Sequence, residues 1–150
     1  MKKLVYIAIY TLVSAFLGLF ILPQKVETKR WVLIDASVDT IWTEIEDVNN
    51  WGSWQTKDSA SSQVEWLGGS VSIASVDKEN RLVEFTVANK DGEGKLEIQE
   101  MPDGLWLSCY YTFQADYAPW SRLVDWLGRG ELALEIDDSL QKIKNKLESK

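Results

Sequence analysis

The hydrophobic pattern divides this chain at Pro23. Leu4–Leu22 runs nineteen residues without a charged side chain, and Pro23 closes it. As a helix that run would rise about 28 Å, close to the roughly 30 Å hydrocarbon core of a bilayer. Residues 1–24 are therefore expected to form one transmembrane anchor, and residues 25–150 one folded domain. Past Pro23 the periods are those of ordinary secondary structure. Glu27–Asp35 is rich in β-formers and predicts a strand. Ser37 follows as an N-cap. Val38, Ile41, Trp42 and Ile45 then fall at i, i+3, i+4 and i+7, the apolar face of a short helix, with Asp39, Glu44 and Glu46 on its wet face. Asn49-Asn50-Trp51-Gly52 breaks that helix.

From Gln63 the period is two. Val64 and Trp66 alternate with polar residues, and Gly68-Gly69 predicts a turn. Val71, Ile73 and Val76 mark a further strand with a bulge, and Asp77–Asn80 a turn. Val83, Phe85 and Val87 form the next strand, and Asn89–Gly92 is a hairpin signal. Leu96 and Ile98 alternate in turn, and Pro102-Asp103-Gly104 is a tight turn. Leu105–Ala115 is the longest strand, with Leu107, Cys109, Tyr111 and Phe113 on one face and Trp106 on the other. Asp116–Leu127 reads as a connecting segment, and a last helix is expected from about Gly130 to Leu147. Its apolar stripe is Leu132, Ile136, Leu140, Ile143 and Leu147, and Lys142, Lys144 and Lys146 suit the negative end of the helix dipole. Strand, helix, about five antiparallel strands and a long terminal helix make an α+β domain. A bent sheet wrapped on such a helix encloses a natural apolar ligand site.

Charge and composition exclude several functions. The net charge is −7 and there is no histidine. An acidic domain lacks the basic stripe that phosphate contacts require, so no nucleic-acid partner is expected. Without histidine there is no Ser-His or Cys-His pair and no His-containing zinc site. Cys109 is the single cysteine, mid-strand on an apolar face, and reads as a small buried hydrophobe. Asp137-Asp138 point about 100° apart on a helix and do not converge on a metal. No cofactor, no metal site and no catalytic set is expected. Lys57–Gln63 (KDSASSQ) reads as a loop.

No small-x-small cleavage site follows the hydrophobic run, which favours an uncleaved anchor over a signal peptide. Lys2 and Lys3 stand against Lys25, Lys29 and Arg30 on the other flank, nearly a tie by the positive-inside rule. The short tail before the hydrophobic run favours a translocated domain. The expected location is the cell membrane, single-pass, with the domain extracytoplasmic (periplasmic in a bacterium with two membranes).

The stretch Val26–Trp54, VETKRWVLIDASVDTIWTEIEDVNNWGSW, resembles the opening of the START-like (SRPBCC) superfamily, which includes polyketide cyclase-like, Bet v 1-like and coenzyme Q-binding proteins. Ile34-Asp35-Ala36, Ile41-Trp42, Asp47, Trp51 and Trp54 carry the likeness. Ser37 departs from it, because the family often has proline there, and this changes the cap rather than the fold. The resemblance implies a helix-grip domain with a hydrophobic cavity over about residues 26–147. It implies no enzyme, since the superfamily shares no catalytic set.

The candidate cavity residues are Leu107, Cys109, Tyr111 and Phe113 on the long strand, Leu132, Ile136, Leu140 and Ile143 on the last helix, and Trp120 and Trp126 before it. Trp42 is expected in the core, with Trp51 and Trp54 packed under the region that follows the short helix. Trp120 and Trp126 are candidates for a cavity mouth or a bilayer surface. Tyr110, Tyr111, Asp116 and Tyr117 are candidate acids or bases toward a bound ligand. The expected function is a membrane-anchored binding module for a hydrophobic small molecule or lipid. The alternatives are an enzyme of polyketide cyclase or hydrolase type, and an interaction domain whose interior is filled by its own side chains.

Overall fold

The computed structural model describes residues 2–57, 64–88 and 91–149. The loop expected over Lys57–Gln63 lies, beyond Lys57, outside the described residues, as do Asn89 and Lys90 of the expected hairpin. Seven strands form one antiparallel sheet, and in chain order they are β1 (Lys25–Ile34), β2 (Thr56–Lys57), β3 (Val64–Trp66), β4 (Gly69–Asp77), β5 (Leu82–Val87), β6 (Gly92–Met101) and β7 (Gly104–Gln114). Their spatial order is β1-β7-β6-β5-β4-β3-β2. The run after the short helices counts six strands rather than five because Thr56–Lys57 pairs with β3. The helices are α1 (Lys2–Leu19), α2 (Val38–Ile45), α3 (Val48–Trp51) and α4 (Pro119–Glu148). The sheet curls around α4, the helix-grip arrangement of an α+β domain.

Most local expectations hold for identifiable reasons. Ser37 caps α2, its side chain accepting the Thr40 amide at 3.2 Å. Ile41, Trp42 and Ile45 go inward together. The bulge expected in β4 appears as a register shift between Ile73 and Ser75. The turn between β3 and β4 falls one residue earlier than the glycine pair suggests. Leu67 (φ 54°) and Gly68 (φ 79°) are its two central residues, the positive pair that a two-residue hairpin requires.

Two expectations are corrected. The last helix does not begin near Gly130. It begins at Pro119 and continues for 30 residues, because proline at the first turn is pre-set for a helix and Gly128 and Gly130 weaken it without breaking it. Trp120 and Trp126 are therefore helical, not part of a connecting segment. The expected transmembrane helix is also corrected. α1 has 18 residues, and the chain leaves it at Phe20 and Ile21, whose amides bond back to Leu17 and Gly18 at 3.1 Å. Pro23 biases the residue before it away from helix. Among the described residues no helix is long and apolar enough to cross a membrane.

α4 lies along β1 and is tied to it by polar contacts at its solvent edges. Arg30 donates to Asp137 at 3.1 Å, Lys144 to the Leu33 carbonyl at 2.9 Å, and the Asp35 amide to Glu148 at 2.9 Å. Lys146 reaches the buried Glu44 of α2 at 2.5 Å and Ser53 at 2.7 Å, which fixes the end of α4 on the short helices.

Candidate functional site

The concave side of the sheet is filled unevenly. Toward β3–β5, the rings of Trp51, Trp54, Trp66 and Phe85 form one cluster, with centroids 5.2 Å (Trp51–Trp54), 5.4 Å (Trp51–Phe85) and 5.3 Å (Trp66–Phe85) apart. The Trp51 ring N–H donates to the Ile45 carbonyl at 3.1 Å. Those of Trp42, Trp54 and Trp66 meet no hydrogen-bond partner among the described residues. Phe85 lies directly over Gly94, its cross-strand neighbour, and Tyr111 leans over Gly92; at both places only the absence of a Cβ admits the ring. Trp42, Trp51 and Trp54 are thus core residues, as expected.

The second half of α4 is sealed. Ile136, Leu140 and Ile143 share a closed core with Leu107 and Cys109, all at most 1% exposed. These five expected cavity residues pack together in that core, as an aliphatic stripe does against an apolar sheet face. The open space lies toward the first half of α4. A groove of about 310 Å³ has Tyr111 and Phe113 as its floor. Leu67-Gly68 forms one wall, and Val124, Leu132 and Gly128 of α4 form the other, with Asp125, Glu131 and Glu135 along it. It shares Val124 and Asp125 with a second recess of about 640 Å³ bounded by Asp91, Gln114–Tyr117, Trp120 and Ser121.

Of the ten expected residues, Tyr111, Phe113 and Leu132 line the groove and Trp120 lines the adjoining recess. Trp126 lines neither, and the Arg129 guanidinium sits 4.6 Å above its ring. Trp106 is on the opposite sheet face, as expected, where it pairs with Trp31 at 6.2 Å and donates to Asp103 at 2.9 Å. Leu67, Val124, Asp125, Glu131 and Glu135 are the lining residues that periodicity does not reveal. Val124 and Asp125 fall in the stretch that reads as a connecting segment, and Leu67 sits at a hairpin tip. The glycine pair beside Leu67 is its single sequence signal.

The electrostatics are simple. Glu135 accepts the Leu67 amide at 2.9 Å, tying the hairpin tip to α4 across the groove. Burial, with the Glu135 carboxylate adding to it, pushes the Tyr111 phenol up to about 12. Tyr111 is therefore a protonated hydrogen-bond donor at neutral pH and no base. Burial also pushes the Cys109 thiol well above its ordinary value, so it is no nucleophile. Tyr110 lies outside the groove; its phenol is raised by burial and by a hydrogen bond with Glu27. Among the described residues no group of three or more acidic or cysteine side chains is placed to hold a metal.

No protein-family model matches the chain, and no curated protein matches it. Solved structures do match. The KanY protein is 14% identical with a TM-score of 0.64, over 83% of this chain and 98% of KanY. The di-domain ARO/CYC StfQ of the steffimycin biosynthetic pathway is 10% identical with a TM-score of 0.62, over 84% of this chain. This chain spans about half of StfQ, 51% of its length. TTHA0849 from Thermus thermophilus is 14% identical with a TM-score of 0.58, over 83% of this chain and 97% of that one. At such identities the likeness shows the fold alone, in agreement with the helix-grip arrangement of sheet and terminal helix.

Proposed function

We propose that residues 25–150 form a binding module that holds an apolar small molecule or lipid in the groove between the first half of α4 and the sheet. The observation that carries this is the contrast along one helix. α4 is sealed onto the core at Ile136, Leu140 and Ile143, yet leaves an open groove beside Val124, Gly128 and Leu132 over an aromatic floor of Tyr111 and Phe113. A concave apolar site with a few convergent polar groups is what a small-molecule pocket requires. The test is mass spectrometry of solvent extracts of the purified protein, beside a Leu132→Trp variant that fills the groove. An apolar molecule carried by the wild type and absent from an equally stable variant is the expected result. No molecule carried by the protein, and none taken up from an offered set of lipids and quinones, overturns the reading and favours the interaction-domain alternative, which the filled tryptophan end of the interior supports. A cyclase-type or hydrolase-type enzyme is the second reading. It is favoured by Tyr111, a protonated donor, sharing the groove with Glu135, and Tyr111→Phe would then abolish turnover while sparing binding.

The module is attached to a membrane by residues 1–24, through α1. Side chains from Leu4 to Leu17 stand exposed along the whole helix, a surface that water disfavours and lipid accepts. The start of α4 adjoins the end of α1, since Arg122 reaches the Phe20 carbonyl at 3.5 Å, and Trp120, Val124 and Leu127 are exposed on one arc of α4 there. The attachment is an inserted apolar helix rather than a full crossing, in keeping with its length. Protease added to intact spheroplasts reads which face carries the domain: digestion places it on the extracytoplasmic side expected from the short basic tail, and protection until lysis places it inside.

A further inference from the structure

We propose that the outward face of the first half of α4 lies on the lipid surface beside α1, so that the domain is held against the bilayer rather than hung from it. This rests on the attachment of α1 to a membrane and adds a second contact, made by the folded domain itself. Trp120, Val124, Leu127 and Leu134 fall at i, i+4, i+7 and i+14, within about 40° of one line along the helix. All four are between 62% and 69% exposed. The stripe that seals α4 onto the core, Ile136, Leu140 and Ile143, runs about half a turn away. A helix packed on its own core ordinarily turns charged and polar residues, not tryptophan and leucine, to the far side. The outward stripe of α4 takes no part in the core, and it spans about 21 Å.

Its place in the molecule indicates what covers it. α4 begins beside the end of α1, where Arg122 reaches the Phe20 carbonyl at 3.5 Å, and α1 carries apolar side chains exposed along its length. One lipid surface can cover both apolar faces. The end of the stripe nearest α1 is aromatic, with Trp120 and, just before the helix, the exposed Tyr117. Such rings favour the headgroup level of a bilayer. The charged side chain within the stripe is Glu131, and Asp138 beyond Leu134 is met by Lys142 at 2.6 Å. Apolar burial to a depth of about 5–10 Å, not attraction to anionic lipid, therefore holds the stripe down. A second copy fits less well, because four side chains offer less than the roughly 800 Å² per partner of a stable interface. Trp120 and Val124 also line the recess beside the groove, so docking brings the mouth of that recess to the lipid.

The test places a single nitroxide on the full chain in phosphatidylcholine vesicles, through Leu127→Cys, Leu134→Cys, Tyr10→Cys or Ser72→Cys in turn. All four positions are exposed, and the native Cys109 is buried away from the labelling reagent. Leu127 and Leu134 report the stripe, Tyr10 reports α1, and Ser72 reports the sheet through β4. Collision rates with lipid-soluble oxygen and with a water-soluble nickel chelate are read at each. Oxygen should exceed the chelate at Leu127, Leu134 and Tyr10, and the chelate should exceed oxygen at Ser72. Leu127 and Leu134 behaving like Ser72, with Tyr10 in lipid, overturns the proposal and leaves the attachment through α1 standing. Low rates with both reagents at Leu127 and Leu134 mean that protein covers the stripe, and they overturn the proposal as well. Tyr10 behaving like Ser72 shows that the attachment itself fails, and the docked face falls with it.

Discussion

Gly94→Ala sets two physical effects against each other. Glycine inside a strand ordinarily costs about 0.5–1 kcal/mol relative to alanine, so propensity alone predicts that the substitution stabilises. The packing predicts the reverse. A Cβ built at Gly94 would lie 2.0, 2.4 and 2.6 Å from three carbons of the Phe85 ring, where ordinary contact begins at 3.4 Å. The ring must withdraw by more than an ångström. It has nowhere to go, since Phe85 is 1% exposed and flanked by Trp51 at 5.4 Å and Trp66 at 5.3 Å. Overpacking of this kind costs about 1–3 kcal/mol or more, so the net change should be a loss of about 2 kcal/mol. For a chain of this size that is a fall of about 4–8 °C in melting temperature. Urea unfolding followed by tryptophan fluorescence measures it directly, because the cluster is itself the reporter. Gly128→Ala and Gly130→Ala are the controls. A Cβ at either meets nothing within 4 Å, and each should stabilise α4 by about 0.5–1 kcal/mol. A neutral or stabilising Gly94→Ala would refute the tight ring-on-backbone packing argued for this end of the interior.

Three further outcomes are expected. Tyr111 is held near 12 in the folded protein against an ordinary value of about 10, so its contribution to stability is complete below the ordinary value and is lost as pH rises through about 12; Tyr111→Phe should flatten that part of an alkaline unfolding curve, and an unchanged curve would contradict the burial of the phenol. Lys146→Met leaves the buried Glu44 carboxyl without its cation and should cost about 1–3 kcal/mol in urea unfolding, most of it recovered in the double variant with Glu44→Gln, and additive losses would show that the pair is not coupled. Cys109 should resist thiol reagents in the native protein and react on unfolding, and fast native labelling would contradict its sealed position between sheet and helix.

What the sequence makes legible is what short-range periodicity encodes. Val83, Phe85 and Val87, or Leu107, Cys109 and Tyr111, alternate, and they point inward together. Ser37 ahead of an i, i+3, i+4 pattern is a cap, and it caps. The start of α4 was masked by opposed signals: Gly128 and Gly130 argue against helix, whereas Pro119 in the first turn argues for it, and tertiary context decides such contests. The apolar arc of α4 also changes sides. Ile136, Leu140 and Ile143 are sealed in the core, whereas Trp120, Val124 and Leu127 are exposed, at the groove or beyond it, so one stripe drawn along the helix misplaces its first half. The groove was legible in part, through Tyr111, Phe113 and Leu132. Where a helix parts from a sheet depends on side chains brought together from distant points of the chain. Leu67 and Glu135 are 68 positions apart and meet at 2.9 Å, and no local pattern encodes that meeting.

The central claim is that ligand enters the open half of the α4–sheet interface and not its sealed half. Paramagnetic broadening of methyl resonances by a spin-labelled alkyl alcohol, in the full chain with methyl-labelled leucine, isoleucine and valine, tests it most directly. Broadening should be strong at Leu67, Val124 and Leu132 and weak at Leu107, Ile136, Leu140 and Ile143. Broadening centred on Leu107 and Leu140, or none beyond that of residues in α1, would contradict it.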